Sequence, residues 1–262
     1  PTEWLARYAR MRLHANRLLT SAAVIKPKKA DRKRADKMKK KIVSYIILCV
    51  LIPAVVILGA ILFEDRQYAW ISLCVAILSC VPFFLRFERQ EANAKRMILI
   101  ACLTALSVLG RIIFAPIPAF KPVTAMVVIT AMYFGSEAGF LTGALSAVIS
   151  NFYFGQGPWT PFQMFSWGIL GLIAGLISEQ LKKSKLVLVI YGILSGVLYS
   201  FLMDIWTVLW EDGFFNLSRY FAALVSAVPF TVVYAVSNVV FLLVFDRPIG
   251  KILNRIKTKY AL

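Results

Sequence analysis

The chain has little of what disulfide scaffolds, metal sites and soluble domains are built from. Its 262 residues include one histidine, His14, and four cysteines, all of which lie inside apolar segments. This small number of histidines and cysteines, in these positions, does not indicate a disulfide framework or a metal site. Only 16% of the residues are charged and 60% are hydrophobic, whereas about 25% are charged in a typical soluble domain. A cytosolic enzyme, a disulfide scaffold and a disordered chain are therefore excluded, and an integral membrane protein is predicted.

Motifs for chemistry are missing as well. The sequence contains no GxxxxGK[ST] phosphate loop and no nucleophile paired with a base inside its apolar segments. Proton-driven transporters commonly have several intramembrane acids, but only Arg111 and Asp204 are charged residues well inside these segments. The sequence predicts no enzymatic activity and no cofactor, and any ATP would have to be hydrolysed by another chain.

Eight apolar segments can be marked in the sequence. Because lipid cannot satisfy backbone N–H and C=O groups, each segment is predicted to be a helix. The segments are 42–63, 68–85, 97–114, 122–134, 138–153, 163–181, 186–210 and 220–245. The segment at 122–134 is short, which predicts either a tilted helix or one continued by protein-buried backbone around Pro122.

The distribution of positive charge predicts the topology. Residues 1–41 contain 14 of the 30 lysines and arginines, as is typical of a cytosolic topological anchor and not of a nucleic-acid-binding domain. With the N-terminus inside, only Arg66, Lys121 and Arg219 fall in outer connections. We therefore predict a multi-pass protein of the cell membrane with both termini in the cytoplasm. Its predicted parts are a basic segment at 1–41, two helices at 42–96, and a six-helix core with a basic tail at 97–262.

The first 37 residues have two interpretations. Apolar side chains recur among arginines from Thr2 to Leu19, as in an interfacial amphipathic helix. Met38 is followed by three lysines and an apolar run, which resembles a natural start. Residues 1–37 are interpreted as an upstream extension or remnant, and the alternative is a cytosolic anchor.

Small residues recur four positions apart, which lets two helices approach closely. The pairs are Ala101 with Ala105, Gly139 with Gly143 and then Ala147, and Gly171 with Gly175. Each pair can serve packing inside the bundle, or it can offer a flat face to another membrane protein.

Three outer connections, 115–122, 154–162 and 211–219, share one predicted face. They are rich in proline, glycine and aromatic residues, which suits stiff loops that cover a ligand, although an aromatic belt at the lipid surface is the alternative. In one interpretation, Arg111 reaches the lipid headgroups and Asp204 forms one buried polar contact. In the other, both residues lie at a solute pocket. The candidate substrate-binding residues are Arg111, Phe120, Asn151, Gln156, Trp159, Gln163, Trp167, Asp204, Trp206 and Phe214.

Residues 97–245 resemble the S components of energy-coupling factor (ECF) vitamin transporters, which are their substrate-binding membrane subunits. The resemblance rests on the six-helix pattern, on Ala101xxxAla105, and on the stretch from Gly155 to Gln163 that leads into Trp167. It implies a vitamin bound at the outer face, docking of Ala101 and Ala105 on a transmembrane coupling subunit, and two cytosolic ATP-binding subunits.

The two leading spans depart from the six-helix pattern of this family. The extra length and the aromatic outer face suit a large ligand, and the sequence looks most like the cobalamin or corrinoid branch of the family. A stand-alone secondary transporter and a non-transporting structural membrane subunit are the alternative functions.

Overall fold

A computed structural model describes residues 3, 7, 29–62, 68–87, 93–212 and 214–260. The chain separates into two compact units, 1–40 and 41–262. The amphipathic helix predicted at 2–19 falls almost entirely outside the described residues. All regular elements in the described ranges are helices, so the all-α prediction is confirmed.

The helices follow the predicted apolar segments closely. Four of them are long and apolar enough to cross a membrane, namely Met38–Gly59, Ala94–Ile113, Lys185–Asp212 and Leu217–Lys259. With the shorter apolar helices, they form the polytopic bundle that the sequence predicted. The helices are α1 (Lys29–Ile46), α2 (Ile52–Leu62), α3 (Tyr68–Phe87), α4 (Asn93–Ile113), α5 (Val123–Phe134), α6 (Ser136–Phe154), α7 (Trp159–Leu176), α8 (Ser178–Lys183), α9 (Lys185–Asp212) and α10 (Leu217–Tyr260).

A π-helical turn, Ile47–Leu51, joins α1 to α2 within one continuous apolar segment. Pro53 has no N–H, so the ordinary helical bond to the carbonyl of Cys49 cannot form. The N–H of Ile52 bonds to the carbonyl of Ile47, five residues back, where an α-helical bond would reach Leu48. Such π-helical turns are rare and occur mostly as single widened turns inside α-helices.

The two leading helices, which have no counterpart in the six-helix pattern, lie beside α6 and α7. Leu48, Ile52 and Val75 are fully buried and belong to the same apolar cluster as Phe140 of α6 and Met164 of α7. Between membrane helices such contacts stabilise through van der Waals packing and not through removal from water. The leading helices are therefore packed onto the bundle and share its core.

The short helix α5 lies at the centre of the bundle. All of its residues except Tyr133 are buried, and it packs against α4, α6, α7 and α10. At about 1.5 Å per residue it is roughly 18 Å long, which is too short to cross lipid but sufficient inside protein. It begins directly after Pro122 and ends at Gly135, whose φ of 96° lies in a region that favours glycine. Gly135 thereby allows the chain to reverse into α6 without a longer loop.

Helices α6 and α7 are in backbone contact. A Cβ atom on Gly143 would lie 2.4 Å from the carbonyl carbon of Trp167, and one on Gly139 would lie 2.7 Å from the carbonyl oxygen of Gly171. Only glycine fits where backbones approach so closely. For these pairs the structure therefore supports internal packing and not a docking face.

Helix α10 is longer than predicted. The predicted span ended at 245 and was followed by a basic tail, but α10 continues through Pro248 to Tyr260. Phe245, Ile249 and Leu253 recur every four residues and pack against the main apolar cluster. The basic residues between them hid this amphipathic pattern, which explains why a tail was predicted where the helix continues.

Candidate functional site

A small cavity lies where α5 begins. Its volume is about 70 Å³, and it opens between α4, α5, α7, α9, α10 and the 114–122 connection. Arginine, lysine, amide and aromatic side chains meet there, which is typical of a site that orients a polar ligand. The cavity is lined by Arg111, Ala119, Lys121, Val123, Thr124, Gln163, Trp167, Tyr199, Tyr234 and Asn238.

Arg111 heads a hydrogen-bond network that joins three helices. Its Nη1 donates to Oδ1 of Asn151 at 2.7 Å and to Oγ of Ser150. The Nδ2 of Asn151 donates to Oγ1 of Thr160 at 2.8 Å and to Oε1 of Gln163 at 2.9 Å. The network fixes the side chains of α4, α6 and α7 relative to one another before any ligand arrives.

Arg111 is buried, with 8% of its surface exposed, so it does not extend to the lipid headgroups. Its hydrogen-bond acceptors are a hydroxyl and an amide, and among the described residues no carboxylate forms a salt bridge with it. A buried cation that is not neutralised attracts electron-rich groups strongly. The cavity is therefore suited to a carbonyl, hydroxyl or anionic group of a ligand.

Aromatic rings form one wall of the cavity. The rings of Trp167 and Tyr199 are stacked, with centroids 5.0 Å apart and planes 18° apart. Tyr234 meets Tyr199 edge-on at 5.1 Å, and the guanidinium of Arg111 lies 5.0 Å from the Trp167 ring. Flat apolar surface beside fixed polar groups suits a planar heteroaromatic ligand.

The 115–122 connection forms a strap that is fastened to α10. The N–H of Lys121 donates to Oγ of Ser237 at 2.8 Å, and this Oγ donates back to the carbonyl of Lys121 at 3.0 Å. Phe120 packs against Phe241 at 5.0 Å. Burial lowers the pKa of Lys121, and the nearby charge of Arg111 lowers it further. The connection thus holds a second cation at the mouth of the cavity.

The structure brings together four of the ten predicted substrate-binding residues: Arg111, Asn151, Gln163 and Trp167 belong to the network or line the cavity. Phe120 lies in the strap between two lining residues but points into the apolar cluster.

The other five predicted residues lie apart from the cavity. Trp159 meets Trp206 edge-on at 6.0 Å, and Nε2 of Gln156 donates to the carbonyl of Val148 at 2.8 Å. Asp204 lies on α9 near Trp206, and its buried Oδ2 and the buried Nε1 of Trp206 have no hydrogen-bond partner among the described residues. Phe214 is 63% exposed and does not line the cavity.

Sequence reasoning missed Lys121, Tyr199, Tyr234 and Asn238 as cavity-lining residues. A signal for the last three exists in the sequence. Small and polar residues follow helical spacing along α9, and Thr231, Tyr234 and Asn238 do so along α10. A polar stripe within an apolar helix indicates a face turned towards protein or a cavity.

A helical bundle with apolar helices long enough to cross a membrane, and with a polar and aromatic cavity at one end, is the architecture of a polytopic membrane protein. The family model described as "ECF-type riboflavin transporter, S component" matches residues 91–255. The chain belongs to this family, so it is a substrate-specific membrane subunit of an ECF transporter, as the resemblance over 97–245 predicted. Comparisons with curated proteins and with solved structures give no significant match. The two leading helices lie before the matched region.

Proposed function

We propose that this S component binds riboflavin in the cavity beside Arg111 and delivers it across the cell membrane. The stacked Trp167 and Tyr199 beside the Arg111 network are the observation that carries the proposal. A flavin ring is planar and has carbonyl groups on one edge, so it matches an aromatic wall flanked by donors. The polar side chains of Lys121 and Asn238 suit a hydroxylated chain.

Size favours a flavin over cobalamin, the substrate that the sequence suggested. The cavity measures about 70 Å³, whereas small-molecule sites usually have ~300–1,000 Å³. Either ligand requires the cavity to enlarge, but a corrin ring requires far more enlargement than a flavin. The family description also names riboflavin. We therefore keep cobalamin as a competitor in the binding experiment.

Transport in this proposal depends on other chains. Ala101 and Ala105 are exposed on α4, beside exposed Ile98 and Leu109. Small residues on an exposed apolar helix face permit close approach of another membrane helix. This face docks on a transmembrane coupling subunit, and two ATP-binding subunits supply the energy. The cavity faces the outside and both termini lie in the cytoplasm, since that orientation places most basic residues inside.

The proposal is tested by titrating riboflavin with the purified full-length protein in detergent and following flavin fluorescence. We expect saturable quenching, because stacking on aromatic rings quenches a flavin. The variant Trp167→Leu should bind at least about tenfold more weakly, a loss of about 1.4 kcal/mol. The matched control Trp70→Leu, at a tryptophan that is 67% exposed on α3, should bind like the wild type. If riboflavin caused no saturable quenching while cobalamin bound the same protein, the substrate assignment would be refuted.

A further inference from the structure

A second, larger cavity lies at the opposite end of α5. Its volume is about 380 Å³, and it opens where α8 and the last turns of α10 meet the end of α5. No part of it belongs to the substrate cavity, which lies where α5 begins. It is lined by Tyr133, Lys182, Asp246, Arg247, Gly250, Lys251 and Asn254.

Positive charge dominates the walls of this basic cavity. Lys182, Arg247 and Lys251 are three cations among its seven lining residues. Its one acid, Asp246, forms an ion pair with Lys185. The negative charge of Asp246 is therefore largely offset, and the cavity attracts an anion.

The basic cavity is built on a fixed frame. Arg247, Gly250, Lys251 and Asn254 recur at helical spacing, so they lie on one face of α10. A Cβ atom on Gly250 would lie 2.4 Å from the hydroxyl oxygen of Tyr133. Gly250 thus allows the Tyr133 hydroxyl to lie against α10, next to the cations. The ring of Tyr133 is flanked by the ammonium groups of Lys182 at 5.5 Å and Lys257 at 5.6 Å.

We propose that the basic cavity binds a phosphate group, and specifically the phosphate of an anionic lipid headgroup. Arginine and lysine supply the donors that a phosphate prefers, and Asn254 adds an amide. The charged lining residues of α10 begin at Asp246, directly after its apolar run at 220–245. We therefore expect the cavity to lie near the lipid headgroups at that end of the bundle. Basic pockets between membrane helices are suited to such headgroups.

The test uses the full-length protein, delipidated in detergent, and native mass spectrometry with added dioleoylphosphatidylglycerol or dioleoylphosphatidylcholine. The pocket variant is Arg247→Gln with Lys251→Gln. The matched control is Lys183→Gln with Arg255→Gln, which removes two exposed basic residues at the same end of the bundle that do not line the cavity. Melting temperatures without lipid establish that both variants are folded.

We expect the pocket variant to retain phosphatidylglycerol about thirtyfold less well, since each basic residue contributes about 1 kcal/mol. The control should bind like the wild type, and phosphatidylcholine should bind weakly to all three proteins. A parallel titration with glycerol 3-phosphate and inorganic phosphate distinguishes a soluble source of the phosphate. Binding of these anions that depends on Arg247 and Lys251, without retention of the lipid, would support the phosphate site but assign it a soluble ligand. Equal retention of phosphatidylglycerol by wild type, pocket variant and control would overturn the proposal.

Discussion

The backbone contact between α6 and α7 makes Gly143→Ala the most informative single substitution. The new Cβ atom would lie 2.4 Å from the carbonyl carbon of Trp167. Ordinary contact between carbon atoms requires about 3.4–4.0 Å, so the helices must separate by roughly 1 Å. Because both sides of the contact are helix backbone, no side chain can rotate to relieve it.

Overpacking of this kind usually costs about 1–3 kcal/mol. We therefore expect Gly143→Ala to lower the melting temperature of the detergent-purified protein by several degrees, since about 1 kcal/mol shifts the midpoint by ~2–4 °C in a chain of this size. Trp167 moves with its backbone, so riboflavin affinity should also fall, by about tenfold. Thermal unfolding and flavin fluorescence measure the two effects separately.

Gly192→Ala is the matched control for this substitution. Its new Cβ atom would lie 3.1 Å from Cδ1 of Leu242 and 3.2 Å from Cγ2 of Val239, which are ends of side chains. We expect it to melt and to bind within error of the wild type, or to lose much less stability than Gly143→Ala. If Gly143→Ala matched the wild type in both assays, α6 and α7 could not be in the contact described above, and the reasoning would be refuted.

Three further substitutions test other parts of the structure. Ala119→Gly should raise the melting temperature, because Ala119 has a φ of 58° and the left-handed conformation costs an L-residue about 1–2 kcal/mol. A lower melting temperature would show that Ala119 is not strained. Burial lowers the pKa of Lys121 in the folded protein below its ordinary value of 10.5. Between these two pKa values the unfolded chain holds the proton more tightly, so the melting temperature of the wild type should rise with pH. The variant Lys121→Met should lack this rise. Ala101→Trp should abolish co-purification with the coupling subunits while riboflavin still binds, whereas Ile113→Trp on the same helix should leave both intact.

The helices were predictable because backbone N–H and C=O groups need hydrogen-bond partners within the chain, both in lipid and in the protein interior. The described residues of the apolar segments are mostly helical, including the short segment after Pro122, although a turn at Ile177 divides the segment 163–181 into α7 and α8. Helix ends were less predictable. The sequence from 246 to 260 is basic overall, yet Ile249 and Leu253 pack on the core and extend α10 by several turns. Periodicity, and not composition, determines where such a helix ends.

The candidate site was only partly predictable, for a different physical reason. Arg111, Asn151 and Gln163 are conspicuous because a polar side chain inside an apolar segment needs a partner, and here they satisfy one another. Tyr199 and Tyr234 lie in polar stripes of α9 and α10, but such a stripe does not distinguish a tyrosine that lines a cavity from one that packs against another helix. Their position depends on how α9 packs against α7 and how α10 packs against α9 and α5, which is a tertiary property.

The walls of the substrate cavity are held in place by two different kinds of contact. On one side, α6 and α7 meet backbone to backbone through Gly139 and Gly143, and the network from Arg111 to Gln163 lies on this rigid pair. On the other side, the strap is held by the reciprocal hydrogen bonds between Lys121 and Ser237. The two reciprocal bonds together contribute about 1–3 kcal/mol, whereas separating α6 from α7 would also break the hydrogen bonds from Asn151 to Thr160 and Gln163. The space that a vitamin needs beyond 70 Å³ is therefore gained more readily at the strap and α10 than at the wall that contains Arg111.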